Sequence, residues 1–522
     1  VTKERWRDTL LTAGILAVAA LAAAQSWARW LDPIIDTGRD LYIPEQLARG
    51  AKLYRDIRYQ YPPLTPYLLS LITSVTGRSL AAYAAIGFAQ SAAVAAGLWF
   101  ALRRASGAVA AFVAVLFFVA LSFCGASTWG ANFIFPYSYA ATFGIALVVA
   151  ALALFLHQRN ALALAALVIA SWCKVEYAVA TLLIVIVLAI ARRITWRQLG
   201  GFAIGAAATC AAAAFYFRDT TWLSDNIFSA QLTHGAIAER FFAVVSGRAE
   251  WREHAVETLV AIIVIVAVAE LSKSSERLAP ILIVVFSLAI ADHSLFRALG
   301  ILQWILLAYA LLRERDSPLL LFALFSVATT LRIPLNVSPA WYGFALVVPV
   351  YALAAYLIAR TPRPLLLAPM VAILCGRDLW LQHDRYAEKQ FAIHTPRGTL
   401  YDWNRDRARI LNAFIAGLPP GTLTVMPEGL AIDYFAQRRT PLTFHTFTPV
   451  ETADLKVEEA IIRELDARKP DHVAIVTRDV TEYGSRGFGV DYDQRILVYI
   501  KRHYSVEAQR RGAQFGMIVL RR

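Results

Sequence analysis

The amino-acid sequence predicts a polytopic α-helical membrane protein, with about thirteen transmembrane helices and a C-terminal soluble α/β domain. Three observations carry that prediction. Of the 522 residues, 58% are hydrophobic and only 17% charged, against about 25% charged in soluble chains. The mean hydropathy is +0.51. From Thr9 to Gly376 apolar runs alternate with short polar breaks, while the rest of the chain has the mixed composition of a soluble domain. The chain therefore divides into a membrane part, 1–377, and a globular part, 378–522.

The apolar cores fall at 9–29, 80–102, 108–124, 139–156, 160–172, 177–191, 199–217, 256–271, 278–291, 298–312, 318–331, 342–359 and 364–376. The first follows a basic start (Lys3, Arg5, Arg7) and is long enough to span, so it is expected to stay as a helix and not to be cleaved as a leader. The short runs on either side of Lys174 suit short, tilted or re-entrant helices.

A net charge of +13 raises the question of nucleic acid, but the placement of the charge argues against it. Most of the excess sits in short loops between apolar runs, including Arg103, Arg104, Arg159, Arg192, Arg193, Arg313, Arg315, Arg360 and Arg363, all on one side of the membrane. The opposite loops, 30–65, 125–138, 218–255 and 332–341, are longer and mixed in sign. That segregation puts the N-terminus in the cytoplasm and, with an odd number of spans, the C-terminal domain outside. Arginine outnumbers lysine 43 to 8 and alanine is abundant, which points to a GC-rich bacterial genome. The expected location is a bacterial inner (plasma) membrane, with the C-terminal domain periplasmic or extracellular.

Cys124, Cys173, Cys210 and Cys375 all lie in or beside apolar runs without CxxC spacing, so they read as small buried hydrophobes. In the C-terminal domain, Thr422–Met426, His472–Val476 and Gly516–Leu520 read as strands. Val457–Ala467 and Gln494–His503 have helical periodicity. No Gly-rich phosphate loop, Ser-His-Asp order or metal-ligand spacing is evident there. Met426-Pro-Glu-Gly429 and Glu482-Tyr-Gly484 look like motifs but are explained by turn chemistry.

The first outer loop is the most informative stretch: Asp36-Thr-Gly-Arg-Asp40, then a run to Gly50, Leu53-Tyr-Arg-Asp56, and Tyr61-Pro-Pro-Leu-Thr-Pro66. From Asp40 to Arg49 the spacing predicts a helix lying along the membrane surface. On such a helix Asp36 and Asp40 share a face at i, i+4, with Arg39 adjacent. Like charges held that close raise one pKa, making a candidate base or cation site. In the plainer alternative, Asp36 caps the helix and Asp40 pairs with Arg39 or Arg55.

On Asp36, Asp40, Gly50, Leu53, Tyr54, Tyr61, Pro62 and Pro63, the sequence resembles the GT-C superfamily of polyprenyl-phosphate-sugar-dependent membrane glycosyltransferases. Protein O-mannosyltransferases and the lipid A aminoarabinose transferase belong to that superfamily. The short apolar pair broken by Trp172-Cys-Lys-Val-Glu176 resembles the Lys-bearing turn of many relatives. The D-x3-D spacing departs from the adjacent acidic pair of several of them. The resemblance implies a GT-C-like fold and an inverting transferase that moves a hexosyl or pentosyl group. The donor would be a polyprenyl-phosphate-linked sugar in the lipid bilayer, and the acceptor a cell-envelope glycan, lipid or protein.

Such a reaction needs one carboxylate to take the acceptor proton and cations to hold the departing phosphate. Asp36 is the expected base and Asp40 its helper. Lys174, Arg297, Arg332 and His293 are candidate phosphate ligands, and Glu176, Arg39, Tyr61 and His234 candidate substrate contacts. The plain alternatives are a Lys174–Glu176 pair and interfacial anchors. Outer-loop aromatics such as Trp129, Tyr137, Trp341 and Tyr342 suit an interfacial belt. No cofactor is expected, although a divalent cation bridging Asp36 and Asp40 is conceivable. The rival readings are a transporter or flippase of polyprenyl-linked glycans, disfavoured by the lack of an internal repeat, and a non-enzymatic scaffold.

Overall fold

The structure is a computed structural model. It describes residues 2–126, 132–225, 236–273, 278–289, 295–315, 317, 319–330, 338, 343, 345–361 and 363–522. Among the predicted residues, His234, His293, Arg332, Trp129, Trp341 and Tyr342 lie outside the described ones.

Up to Glu388 the elements are helical. In order come α1 (Thr2–Ser26), α2 (Gly38–Ala48), α3 (Leu64–Thr76), α4 (Leu80–Ala105), α5 (Ala108–Phe118), α6 (Tyr139–Leu156), α7 (Asn160–Ser171), α8 (Val175–Ile190) and α9 (Trp196–Tyr216). There follow α10 (Ala236–Val245), α11 (Trp251–Lys273), α12 (Ala279–Ala289), α13 (Leu295–Arg313), α14 (Leu320–Thr330), α15 (Val348–Ala359) and α16 (Ala368–Glu388). Six helical segments among the described residues are long and apolar enough to cross a membrane, and shorter apolar helices lie between them. This is a multi-pass membrane architecture. Its helices approach closely where side chains are small. A Cβ on Gly97 of α4, for example, would meet the Val149 side chain of α6 at 2.7 Å.

The C-terminal part follows directly from α16. It contains β1 (Phe391–Thr395), β2 (Gly398–Asp402), α17 (Arg405–Gly417), β3 (Leu423–Met426), α18 (Leu430–Phe435), α19 (Pro449–Thr452) and α20 (Leu455–Arg468). It ends with β4 (His472–Val476), α21 (Gln494–His503), β5 (Ser505–Arg511) and β6 (Gly516–Arg521). Strands β1 and β2 form a hairpin, and the others a four-stranded sheet in the order β3-β4-β6-β5. The β3–β4 pair is parallel, Leu423 facing His472, and the other pairs are antiparallel. The strands and helices read from the sequence of this domain are all present. They share a core of Met426, Leu442, Phe447, Ile461, Leu465, Val473 and Ile496.

Two expectations change. Helix α2 does form, but it is not an exposed surface helix. All its residues but Arg39 and Ala48 are buried, because the C-terminal domain covers it. A Cβ on Gly38 would meet the backbone nitrogen of Ala431 in α18 at 2.1 Å. The Thr440 amide donates to the Tyr42 hydroxyl at 2.9 Å. The second change concerns the cysteines: Cys210, on helix α9, none of whose residues is buried, is exposed, while Cys124, Cys173 and Cys375 are buried.

Candidate active site

The loop before α2 is shaped locally. Oδ1 of Asp32 accepts the amides of Ile34 and Ile35 at 2.8 and 3.1 Å, closing a turn. The chain then bends at Asp36, whose φ of 56° lies in the left-handed region. That conformation is uncommon for a residue with a Cβ, and aspartate is among those that tolerate it best. Asp36 therefore stands before the helix, not on it, and the expected i, i+4 pairing with Asp40 does not occur. Nor does Asp36 cap α2, since Thr37 holds the N-cap position.

The two carboxylates are held differently. Asp40 is buried, and its Oδ2 accepts the amide of Tyr139 at 2.6 Å, capping the first residue of α6. Asp36 is exposed, and Arg39, Arg478, Glu482 and Asp40 are the charged groups that act on its carboxyl. Its backbone amide donates to Oε1 of Glu428 at 2.8 Å. The Arg478 guanidinium bridges Glu428 and Glu482, donating to each at 2.7 Å. The two C-terminal stretches attributed above to turn chemistry thus both come to the base candidate.

Charge and burial set the protonation. Loss of water pushes the Asp36 carboxyl above the usual aspartate range. Arg39 and Arg478 oppose that rise, while Glu482 and Asp40 add to it. Burial also raises Asp40, against the pull of Arg39, the Tyr139 amide and Lys174. Glu428 is pushed up to about 7 by burial, with Arg478 opposing and Asp36 adding. Glu451, which accepts a bond from Gln60 at 3.2 Å, rises to about 8 by burial despite Arg39.

Cations gather on the other flank of the loop. Arg39 lies 4.8 Å and Lys174 5.1 Å from the centroid of the Tyr61 ring. Lys174 precedes α8, where the backbone is extended. It is 1% exposed, pairs with Glu176 at 2.9 Å, and donates to the Tyr137 hydroxyl at 3.3 Å. It is a buried ammonium, not a snorkelling one. Nε and Nη2 of Arg39 are buried without a hydrogen-bond acceptor among the described residues. Buried guanidinium donors in that state call for an anion. Arg297 instead pairs with Glu253 of α11 at 3.0 Å.

The structure thus brings Asp36, Arg39, Asp40, Tyr61, Lys174 and Glu176 together, with Arg297 engaged elsewhere. The sequence reading missed Glu428, Glu451, Arg478 and Glu482. The only signal was the pair of Pro/Gly-bearing stretches, which hold Glu428 and Glu482 but neither Glu451 nor Arg478.

No family model and no curated protein matches the chain. Solved structures do. The chain is similar to ArnT from Cupriavidus metallidurans bound to undecaprenyl phosphate, at 15% identity over 98% of this chain and 97% of that one, with a TM-score of 0.48. It is also similar to the Archaeoglobus fulgidus oligosaccharyltransferase in the apo form, at 14% identity over 88% and 69%, with a TM-score of 0.46. The Archaeoglobus fulgidus oligosaccharyltransferase AglB, solved with an inhibitory peptide and a dolichol-phosphate, gives 14%, 88%, 69% and 0.45.

Proposed function

We propose that the chain is an inverting glycosyltransferase that moves a sugar from a polyprenyl-phosphate donor to an extracytoplasmic acceptor, with Asp36 as general base. One observation carries this reading: an exposed carboxylate, Asp36, stands beside Arg39, which gathers with Lys174 on Tyr61 and has unpartnered buried donors. The resemblance of the first outer loop to the GT-C superfamily agrees with it. In the proposed topology the thirteen apolar runs all span, and the Asp36 loop and residues 378–522 lie outside the cytoplasm.

The chemistry follows from those groups. Asp36 takes the proton of the acceptor hydroxyl as its oxygen bonds to the anomeric carbon. The bond from that carbon to the phosphate oxygen breaks, and the lipid phosphate leaves with the electron pair. Arg39 and Lys174 hold its charge. A single carboxylate acting opposite the leaving group inverts the anomeric centre. Asp40, occupied as the cap of α6, fixes the start of that helix against α2. Glu176 balances Lys174, and Tyr61 spaces the two cations.

A lipid donor also needs a path for its tail. An almost wholly apolar groove of about 600 Å³ runs past Pro63, Leu64, Tyr67, Trp172, Tyr216 and Phe217. Trp172 lies two residues before Lys174 and Pro63 two after Tyr61, so chain neighbours of both residues line the groove.

A cation bridging Asp36 and Asp40 does not fit these residues. Oδ2 of Asp40 is taken by the Tyr139 amide, and the Arg39 guanidinium acts on both carboxylates. No group of three or more metal-ligating side chains occurs among the described residues.

The test is turnover of polyprenyl-phosphate sugars with extracted envelope glycans by the purified protein. Asp36→Asn is expected to lose about 10²- to 10⁴-fold in rate. Donor consumed equally by both proteins contradicts the assignment. Movement of lipid-linked glycan without a new glycosidic bond supports transport instead.

A further inference from the structure

Arg39 and Asp40 follow the base in sequence, but other charged groups around Asp36 come from the opposite end of the chain. Glu428, Glu451, Arg478 and Glu482 all belong to the C-terminal domain. Glu428 lies between β3 and α18, after a cis Met426–Pro427 peptide. Its two oxygens do separate work: Oε1 takes the Asp36 amide and Oε2 takes Nε of Arg478. Arg478 sits just past β4 and is fixed at its far end by Glu482. Its side chain and that of Glu428 are 6% and 9% exposed, so neither is a loose surface contact. The amide that donates to Glu428 belongs to a residue held in the left-handed region, a conformation that persists only where its surroundings impose it.

We propose that Glu428 and Arg478 are positioning residues for Asp36, so that the C-terminal domain completes the active site from outside the membrane. Glu428 pins the backbone of Asp36, and Arg478 faces its carboxylate with a positive charge. This rests on the role given to Asp36 above. The close seat of Gly38 against Ala431 supports it, because the segment 428–431 bears on the chain on both sides of Thr37. The electrostatics agree in sign. Arg478 and Arg39 favour the charged form of Asp36, while Glu482 and Asp40 oppose it. Glu428 and Glu451 are themselves sensitive to the charge on Asp36.

The signs make the proposal testable. The acid limb of kcat/KM against pH is measured for wild type, Arg478→Gln and Glu482→Gln. Arg478→Gln moves the limb to higher pH and Glu482→Gln to lower pH. A merely structural role lowers turnover in both and moves neither limb, which overturns the charge assignment. Glu428→Ala lowers kcat on the order of hundredfold with KM little changed, and Glu428→Gln, which keeps an acceptor oxygen, recovers most of it. Hydrogen exchange of the full-length protein gives a readout free of activity. Glu428→Ala speeds exchange of the amides of residues 34–42 while those of α20 stay at the wild-type rate. Unchanged exchange over 34–42 overturns the pinning role, and faster exchange in α20 as well shows loss of the domain instead. If the wild type consumes no polyprenyl-phosphate sugar, the proposed reaction fails, and the exchange measurement still decides whether Glu428 holds the loop.

Discussion

The C-terminal domain grips the loop before α2 with ions at two places, four residues apart, and the two grips differ. At Asp32, Arg407 donates to both the loop carboxylate (2.9 Å) and Asp402 (2.7 Å). Lys389 adds bonds to the Arg29 and Leu31 carbonyls at 2.7 and 3.2 Å. Although burial pushes Asp32 up, Arg407, the Ile34 amide and Lys389 hold it below its ordinary value. It is a settled anion. At Asp36 the same domain brings one arginine and three glutamates, and the aspartate is held above its ordinary value. The first grip stabilises. The second leaves a carboxylate that binds a proton more readily than an ordinary aspartate, as the proposed base role requires.

That contrast is easiest to break at the first grip. Arg407→Leu leaves Asp32 and Asp402 without their shared cation, at a cost of about 3–5 kcal/mol. The expected result is a clear fall in Tm by scanning fluorimetry, with the acid limb of the rate profile unmoved. A moved limb at constant Tm reverses the roles of the two grips.

A smaller effect sharpens the second grip. Glu451 titrates at about 8 in the folded protein against an ordinary 4.5. Between those values the folded state holds a proton that the unfolded chain has lost. This contribution to stability is therefore intact at low pH and is lost as pH rises through 8. Wild-type Tm is expected to decline across that window, and Glu451→Gln to flatten the decline. An equal slope in both contradicts the assignment. The smallest change comes from the exposed Arg55–Asp56 pair on the same loop. Arg55→Ala is expected to leave Tm and turnover as they are.

The two grips also divide what the sequence made legible. Alternating hydropathy announces the membrane helices because a span needs length and apolarity, both local properties. Buried strands such as His472–Val476 announce themselves in the same way. Asp36, Asp40, Arg39 and Lys174 stood out because charge beside apolar runs is conspicuous, and Tyr61 because of the resemblance of its loop. The burial of α2 was not legible: its mixed face suits a bilayer surface as well as a covering domain. Glu428 and Arg478 were hidden for a related reason. Gly429 does need its φ of 144°, so turn chemistry explains the stretch around it. Nothing in the local pattern shows that the preceding carboxylate reaches a residue 392 positions earlier.

The most direct test of the central claim is the anomeric configuration of the product, read by nuclear magnetic resonance from a donor of known configuration. A single base at Asp36, opposite a departing lipid phosphate, predicts an inverted linkage formed by wild type and lost in Asp36→Asn. A retained configuration contradicts it, since retention requires a covalent intermediate on a second, nucleophilic carboxylate.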